Sequence, residues 1–148
     1  MAGISKEEIE KLLERAKIGM KNAFDVRTNF PNGAAILTFG GEIFQGCNVE
    51  SVISGLGTCA ERCAIDNAIA NGHYCFKAMV ITSKMEEPVK PCGVCLQYIG
   101  EFAQVSGKDI EIIMVGSKGK TIKSSIRKML PNSFGPKDLN LNLKKFEC

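Results

Sequence analysis

Two short segments of the chain contain residue types that bind metals and transfer protons. Cys92 and Cys95 have the C-x-x-C spacing, which lets two sulfurs bind one metal ion from a single turn of chain. Cys59 could complete a set of three thiolates, and Glu61 follows it two residues later. Three protein ligands would leave one coordination position of a zinc ion open, which distinguishes a catalytic zinc site from a closed structural one. The spacing therefore indicates a zinc-dependent catalytic site.

Glu61 and Arg62 extend this hypothesis from metal binding to chemistry. Zinc can lower the pKa of a bound water to roughly 7, and a nearby carboxylate such as that of Glu61 can take up the proton and deliver it elsewhere. Side chains two residues apart do not share a helix face, so Cys59 and Glu61 converge only around a helix end. Three thiolates give Zn²⁺ an excess of negative charge. Arg62 is placed to donate hydrogen bonds to the sulfurs and to offset that excess.

Each of these residues also has a simpler interpretation. A lone C-x-x-C in an intracellular protein can be a redox pair or a structural clip, and Thr58 with Glu61 can form a capping box. Cys63 lies one turn after Cys59 and could supply a fourth thiolate, which would close the site and make the chain a non-catalytic zinc module. The catalytic interpretation is favoured because both segments occur together, each at the expected start of a helix.

The two segments need helices that begin at the same side of a sheet. Ser5 and Glu8 form a capping box that starts the first helix. Hydrophobic patterns and turn residues predict helices at residues 6–22, 58–71, 92–105 and 124–129, and strands at residues 33–39, 42–49, 76–83, 109–115 and 120–123. Strands separated by a helix are most simply parallel, so the helices that follow them start on one side. We therefore expect an α/β fold, a three-layer α-β-α arrangement around a mixed five-stranded sheet.

The composition limits the class of protein. The chain has 148 residues, a formal net charge of +3, 45% hydrophobic residues and 24% charged residues, as is typical of a soluble globular domain. We expect one domain over residues 1–148, with a C-terminal tail at about residues 137–148. No apolar run approaches the ~18 residues that a membrane-spanning helix needs. The charge is too slight to predict nucleic acid as a partner, and a basic cluster at residues 118–128 is most simply a solvated face.

The seven cysteines are the most informative part of the composition. Charged residues at positions 6–8, 10 and 11 stand where a secretory signal would have an apolar core, so we expect a cytoplasmic protein. An odd number of cysteines in such a chain argues against a disulfide framework and for a reducing compartment. Besides the three metal ligands, we expect core or neighbouring thiols at Cys47 and Cys63, an apolar position at Cys75 and a free terminal thiol at Cys148.

The combined motifs resemble those of a known family. Cys59-Ala60-Glu61 with Pro91-Cys92-Gly93-Val94-Cys95 is similar to the zinc signature of the nucleoside and nucleotide deaminases. Cys rather than His at position 59 resembles the small homotetrameric cytidine deaminases. Flanking blocks of that family are matched by residues 30–35 (Phe-Pro-Asn-Gly-Ala-Ala), 46–50 (Gly-Cys-Asn-Val-Glu) and 130–136 (Leu-Pro-Asn-Ser-Phe-Gly-Pro).

The resemblance implies a cytidine-deaminase-like fold, a homotetramer and a zinc-dependent aminohydrolase. The implied reaction converts cytidine or deoxycytidine to uridine or deoxyuridine with release of ammonia, as in pyrimidine salvage, and the implied partner is a small nucleoside rather than nucleic acid or a membrane. The implied zinc ligands are Cys59, Cys92 and Cys95, with Glu61 as the proton shuttle. The implied substrate contacts are Asn48 and Glu50 to the ribose, Phe30 stacked on the pyrimidine, the Ala60 backbone N–H to the base, and Phe134 in a neighbouring subunit's pocket.

Three positions depart from the family pattern. Ser51–Ser54 stands where the family commonly has Asn-Ala-Ser-Tyr, Asn32 replaces a Val, and Leu96 replaces an Arg after the second Cys of the C-x-x-C. The zinc motif is unaffected, but the substrate pocket is altered. An alternative substrate is therefore another aminated nucleoside or an aminonucleoside antibiotic, processed by the same chemistry.

Overall fold

A five-stranded sheet forms the centre of the molecule in the computed structural model, which describes residues 3–148. The strands are β1 (Asn32–Thr38), β2 (Ile43–Cys47), β3 (Phe76–Ser83), β4 (Glu111–Val115) and β5 (Thr121–Ser125). Their spatial order is β2-β1-β3-β4-β5. Strand β1 pairs antiparallel with β2 and β3, β3 pairs parallel with β4, and β4 pairs antiparallel with β5. The predicted mixed five-stranded sheet is confirmed. Residues 1 and 2 of the domain expected over residues 1–148 lie outside the described residues.

Helices cover both faces of this sheet, as the three-layer prediction requires. The helices are α1 (Lys6–Lys21), α2 (Ala60–Ala70), α3 (Gly93–Ser106) and α4 (Ile126–Met129), and the C-terminal tail adds 3₁₀ helices at Pro136–Leu139 and Lys144–Phe146. Within residues 3–148, no helix has both the length and the apolar character needed to cross a bilayer.

Alternating strand residues divide the core into two layers. Leu12 and Ala16 of α1 pack with Ala35 and Leu37 of β1 and with inward residues of β3 and β4 on one face. The opposite face of β1, through Ala34 and Ile36, packs with α2, α3 and α4. Side chains alternate across a strand, so the predominantly apolar strand β1, buried over Gly33–Thr38, serves both layers. The α1 helix begins at the predicted capping box, with the Glu8 N–H donating to Ser5 Oγ at 3.1 Å.

The two helices of the predicted zinc motif begin slightly later than expected. Cys59 is the N-cap of α2 and Cys92 is the N-cap of α3, both with extended backbone. Thr58 stays outside α2 because its backbone exchanges two hydrogen bonds with Val49, at 2.9 and 3.0 Å. The Thr58–Glu61 capping box therefore does not form, and no side chain caps α2. Strand β2 ends at Cys47, and Val49 continues it only as an isolated bridge.

The prediction of a free thiol at Cys148 is wrong. Cys148 is joined to Cys75 by a disulfide, with the two Cα atoms 5.8 Å apart. The C-terminal 3₁₀ helix brings the chain end to the start of β3, and the Phe146 ring packs edge-on against Tyr74 with ring centroids 4.9 Å apart. The other five cysteines are free. An odd number of cysteines excludes complete pairing only, and one non-local pair is compatible with it.

The disulfide is expected to stabilise the fold. Replacing Cys148 by Ser removes a link between residues 73 apart in the sequence. We expect the free energy of unfolding to fall by about 2–4 kcal/mol, because the cross-link restricts the unfolded chain. Urea unfolding of the oxidised protein and of Cys148→Ser measures this difference. Cys47→Ser is the control, since it removes a free thiol; equal stability of Cys148→Ser and Cys47→Ser would contradict the expectation.

Candidate metal centre and active site

The N-termini of α2 and α3 bring three cysteine sulfurs together. Cys59 and Cys92 cap the two helices, and Cys95 lies buried in the first turn of α3. The three Sγ atoms all lie within 4.8 Å of one another. Thiolates arranged tetrahedrally around zinc at about 2.3 Å would stand about 3.8 Å apart. Three soft sulfur donors at nearly this spacing fit zinc, which accepts thiolate ligands in tetrahedral sites.

Cys63 is not part of this sulfur cluster. In the part of the chain that the structure describes, the group of potential ligands comprises Cys59, Cys92 and Cys95 alone. The Cys63 thiol instead lies near Cys47, where burial first and then the neighbouring Cys63 raise the pKa of the Cys47 thiol. The arrangement therefore has the three-ligand form of an open site, not the four-thiolate form of a closed one.

Arg62 stabilises negative charge on the cluster. Its Nη2 donates to Cys59 Sγ at 3.5 Å. The hydrogen bond from Cys95, followed by those from Arg62 and Cys92, lowers the pKa of Cys59 to about 5, although burial opposes the shift. Helix N-termini also favour thiolates, because their free N–H groups and positive dipole ends attract anions. The lowered pKa favours the thiolate form of Cys59, which is the form that binds zinc.

Glu61 lies in the first turn of α2, beside the sulfur cluster. Its side chain is buried, with only 7% of the residue exposed. Burial raises the pKa of the Glu61 carboxyl above its ordinary value, and the nearby negative charge of Cys59 raises it further. A raised pKa brings a carboxyl group closer to the condition in which it can both accept and release a proton, which is the property a general acid–base residue needs.

A cavity of about 820 Å³ opens in front of the sulfur cluster. This volume is within the range of about 300–1,000 Å³ that is common for small-molecule sites. The helix N-termini contribute Cys59, Glu61 and Cys92 to its wall. Residues of two further segments, 27–32 and 48–58, also line it. Four of the residues expected to contact substrate line this cavity: Phe30, Asn48, Glu50 and Ala60.

Phe134 does not line this cavity. Its side chain is 59% exposed, and its carbonyl accepts a hydrogen bond from Gln97 Nε2 at 2.8 Å. Within one chain, the structure therefore does not bring Phe134 together with the other expected site residues.

Asn48 shapes the segment that carries Phe30. Asn48 Oδ1 accepts a hydrogen bond from the Asn32 N–H at 2.8 Å, and its Nδ2 donates to the Phe30 carbonyl at 3.0 Å. The Asn32 side chain donates to the same carbonyl at 3.2 Å. Asn48 is buried and retains one further N–H, since its amide has two donors.

Glu50 holds residues 27 and 28, which precede Phe30 in the chain. Its carboxylate accepts the backbone N–H groups of Arg27 at 2.6 Å and Thr28 at 3.1 Å, together with the Thr28 hydroxyl. The hydroxyl hydrogen bond keeps the pKa of Glu50 below its ordinary value. Glu50 is therefore a stable anion at neutral pH, with further lone pairs to accept hydrogen bonds.

Sequence reasoning missed three residues that contact Glu50 or Phe30, namely Arg27, Thr28 and Lys84. Arg27 and Thr28 line the cavity, and Arg27 also reaches the Ser51 carbonyl at 3.2 Å. Lys84 lies after β3 with its Nζ 5.4 Å from the centre of the Phe30 ring, and it donates to the Asn29 carbonyl. Their partners are 22–55 residues distant in sequence, so local patterns carry no signal for them.

The three departures from the family pattern fall in different places. Asn32 and the segment Ser51–Ser54 contribute to the cavity wall, through Asn32, Ser51, Ile53 and Ser54. Leu96 instead packs against the hydrophobic core between the sheet and α2, α3 and α4. Two of the departures thus lie in the cavity wall, and the third lies against the core.

Comparison with known proteins agrees with this site. Residues 6–107 match the family model of the cytidine and deoxycytidylate deaminase zinc-binding region. A cytidine deaminase of Sporosarcina psychrophila is 35% identical over 133 residues, which cover 90% of this chain and 96% of the relative. The crystal structure of cytidine deaminase from Burkholderia pseudomallei superposes with a TM-score of 0.79 at 32% identity, covering 88% of this chain and 100% of that one. The chain belongs to the cytidine and deoxycytidylate deaminase family and is a zinc-dependent hydrolase.

A relative that is named for a different substrate is also similar to this chain. A blasticidin-S deaminase of Bacillus cereus is 30% identical over 107 residues, covering 67% of this chain and 73% of the relative. Proteins named for two different substrates therefore resemble this chain at comparable identity.

The position of Cys63 outside the sulfur cluster generates a test of the open site. Cys63→Ser is expected to retain one zinc ion per chain with nearly unchanged affinity, because its sulfur is not a ligand. Cys95→Ser is expected to lose zinc, because it removes one of three ligands. Metal analysis combined with competition against a chromophoric chelator measures both. Loss of zinc from Cys63→Ser would instead indicate a closed four-thiolate site.

Proposed function

We propose that the protein catalyses the hydrolytic deamination of cytidine and deoxycytidine to uridine and deoxyuridine, with release of ammonia. The observation that carries the proposal is the position of buried Glu61 beside the cluster of Cys59, Cys92 and Cys95, at the wall of one cavity. Membership of the deaminase family supports the same reaction.

The cysteine cluster and Glu61 have different roles in the proposed reaction: the cysteines bind the metal, and Glu61 transfers protons. Cys59, Cys92 and Cys95 would hold zinc, which would supply an activated water. Glu61 would accept the first proton of that water as its oxygen bonds to C4 of the pyrimidine, and would deliver this proton to N3. Glu61 would then take the second proton from the new C4 hydroxyl and pass it to the amino group, so that the C4–N bond breaks, ammonia leaves and a C4 carbonyl remains. The raised pKa of Glu61 suits a group that must hold a proton between these steps.

The other side of the cavity recognises the nucleoside. Phe30 stacks on the pyrimidine, and the Ala60 backbone N–H contacts the base. Asn48 donates its remaining N–H, and Glu50 accepts hydrogen bonds, to the ribose hydroxyls. The low pKa of Glu50 supports this role, because an ionised carboxylate makes stronger hydrogen bonds than a neutral acceptor. Arg62, which also lines the cavity, offsets the negative charge of the sulfurs.

We further propose that the chain is one deaminase domain that works as a homotetramer in the cytoplasm, in pyrimidine salvage. Phe134 is exposed and lies outside its own chain's cavity. In the tetramer it helps to line a neighbouring subunit's cavity. Among the described residues, no helix that could span a membrane is present, and the cavity of about 820 Å³ has the size of a small-molecule site, as a free nucleoside requires.

A second candidate substrate is an aminonucleoside antibiotic. Asn32 and the Ser51–Ser54 segment lie on the recognition side of the cavity, where they change the shape and polarity of the wall. The similarity to a blasticidin-S deaminase supports this alternative. The zinc ligands and Glu61 would perform the same chemistry on either substrate.

A substrate panel tests the proposed reaction. Zinc-loaded protein is expected to deaminate cytidine and deoxycytidine, measured as loss of cytosine absorbance and release of ammonia. Blasticidin S and cytidine 5′-monophosphate are tested in parallel at equal concentrations. Turnover of blasticidin S with neither nucleoside would favour the second candidate. No turnover of any compound by protein that carries zinc would reject deamination of these substrates.

Glu61→Gln separates metal binding from proton transfer. The amide cannot shuttle protons, so we expect kcat to fall by about 10²–10⁴-fold, in line with the usual contribution of a general acid–base group. Zinc content should stay at the wild-type level, because Glu61 is not a ligand. Glu14→Gln on the exposed side of α1 is the matched control. Retained activity in Glu61→Gln would remove this residue from the mechanism.

A further inference from the structure

A hydrogen bond joins the two helices that carry the zinc ligands. The Tyr98 hydroxyl of α3 donates to Asp66 Oδ1 of α2 at 2.6 Å. Tyr98 lies three residues after Cys95, and Asp66 lies seven residues after Cys59. Tyr98 therefore lies one turn after Cys95 on the same face of α3, and Asp66 lies in the second turn of α2. The bond thus links the second turns of the two helices whose N-termini carry the sulfur cluster.

The Tyr98 ring is fixed in position by the core. It packs edge-on against Phe102, with ring centroids 5.3 Å apart and an interplanar angle of 85°. Phe102 packs in turn against Phe76 of β3, at 5.5 Å and 61°. Aromatic contacts from Phe76 in β3 through Phe102 therefore hold the Tyr98 ring in place, with its hydroxyl next to α2. Burial and then Asp66 raise the pKa of Tyr98 to about 12, so the hydroxyl keeps its proton throughout the neutral range.

Apolar packing supplies other contacts of these helices, and the buried residues that α2 and α3 contribute to their shared core cluster include Ala64, Ala68, Ile99 and Ala103. Apolar contacts are not directional, whereas a hydrogen bond to a carboxylate is directional and stronger than a neutral one. Asp66 is exposed and Tyr98 is half-buried, so the bond lies at the outer edge of this packing. It adds a directional contact between α3 and α2.

We propose that the Tyr98–Asp66 hydrogen bond positions the metal centre by holding Cys92 and Cys95 in register with Cys59. A loss of this bond allows the two helix N-termini to move apart, and the three sulfurs then no longer meet one ion at the required spacing. Tyr98 and Asp66 are positioning residues, which act through the ligands. The inference rests on the proposed function in one respect, namely that the three cysteines bind zinc.

Three variants test this positioning role. Tyr98→Phe removes the hydroxyl and keeps the ring against Phe102, and Asp66→Asn weakens the acceptor at nearly constant shape. We expect each to lower zinc affinity by about fivefold or more, since partners behind metal ligands commonly contribute about 10–100-fold. The double variant should be no weaker than the weaker single variant, because both substitutions remove the same interaction. Chelator competition measures the affinities.

Two further readouts separate positioning from general stability. Cobalt substituted for zinc should show altered thiolate charge-transfer and d–d bands in Tyr98→Phe, because the ligand geometry changes. The kcat for cytidine should fall while KM stays near the wild-type value, since the recognition side of the cavity is untouched. Tyr74→Phe is the matched control: it removes the hydroxyl of the only other tyrosine, whose ring packs against Phe146 at the C-terminal tail.

The outcomes distinguish this inference from the proposed function. The positioning role would be overturned if Tyr98→Phe and Asp66→Asn bound zinc with affinities within about twofold of those of wild type and Tyr74→Phe. This holds even if the two variants unfolded more easily. Unchanged cobalt spectra would overturn it as well. If the wild-type protein itself failed to bind zinc, the metal centre would be rejected, and the inference with it. Weaker zinc binding by Tyr98→Phe and Asp66→Asn, with Tyr74→Phe unchanged, supports the proposal.

Discussion

The active site depends on one geometric constraint, which is that two helix N-termini must meet within the span of a single metal ion. The sheet topology satisfies it. Strands β2 and β3 both run antiparallel to β1, which lies between them, so β2 and β3 are parallel and end at the same edge. Helix α2 follows β2 and α3 follows β3, so both start near this edge. The positive ends of two helix dipoles then converge where thiolates need stabilisation.

Close packing of α2 on the sheet links this topology to the chemistry of Glu61. Gly46 lies in β2 directly under α2, where a Cβ would stand only 2.3 Å from the Ala64 nitrogen and 2.4 Å from the Ala60 carbonyl oxygen. The absence of a side chain at Gly46, with alanines facing it, lets the start of α2 lie close to the strand. Glu61 follows Ala60 in this first turn and is itself buried, and burial is the main cause of its raised pKa.

Local patterns predicted the parts of the structure that are encoded locally. The capping box at Ser5, the strands and the helix starts near Cys59 and Cys92 follow from residue types within a few positions of one another. The pairing of Cys75 with Cys148, the bonds from Arg27 and Thr28 to Glu50, and the Tyr98–Asp66 bond were not predictable. Each joins residues more than 20 positions apart, and whether they meet depends on the assembled fold. Motif resemblance supplied the roles of Asn48 and Glu50, which composition and periodicity do not indicate.

In the proposed reaction, catalysis and recognition use different groups of residues in the cavity wall. Helix N-termini contribute Cys59, Cys92 and Glu61, whereas loop residues contribute most of the remaining wall. On the loop side, Asn48 and Glu50 are already bonded to residues 27–32, so they determine where Phe30 stands as well as what a sugar would meet. A change at Asn32 or in Ser51–Ser54 therefore alters a connected wall rather than one contact. This wall is also joined to the metal centre, because Thr58, which exchanges two backbone hydrogen bonds with Val49, directly precedes Cys59. A change in the loops that altered substrate preference would have to preserve this pair of bonds to leave the position of Cys59 undisturbed.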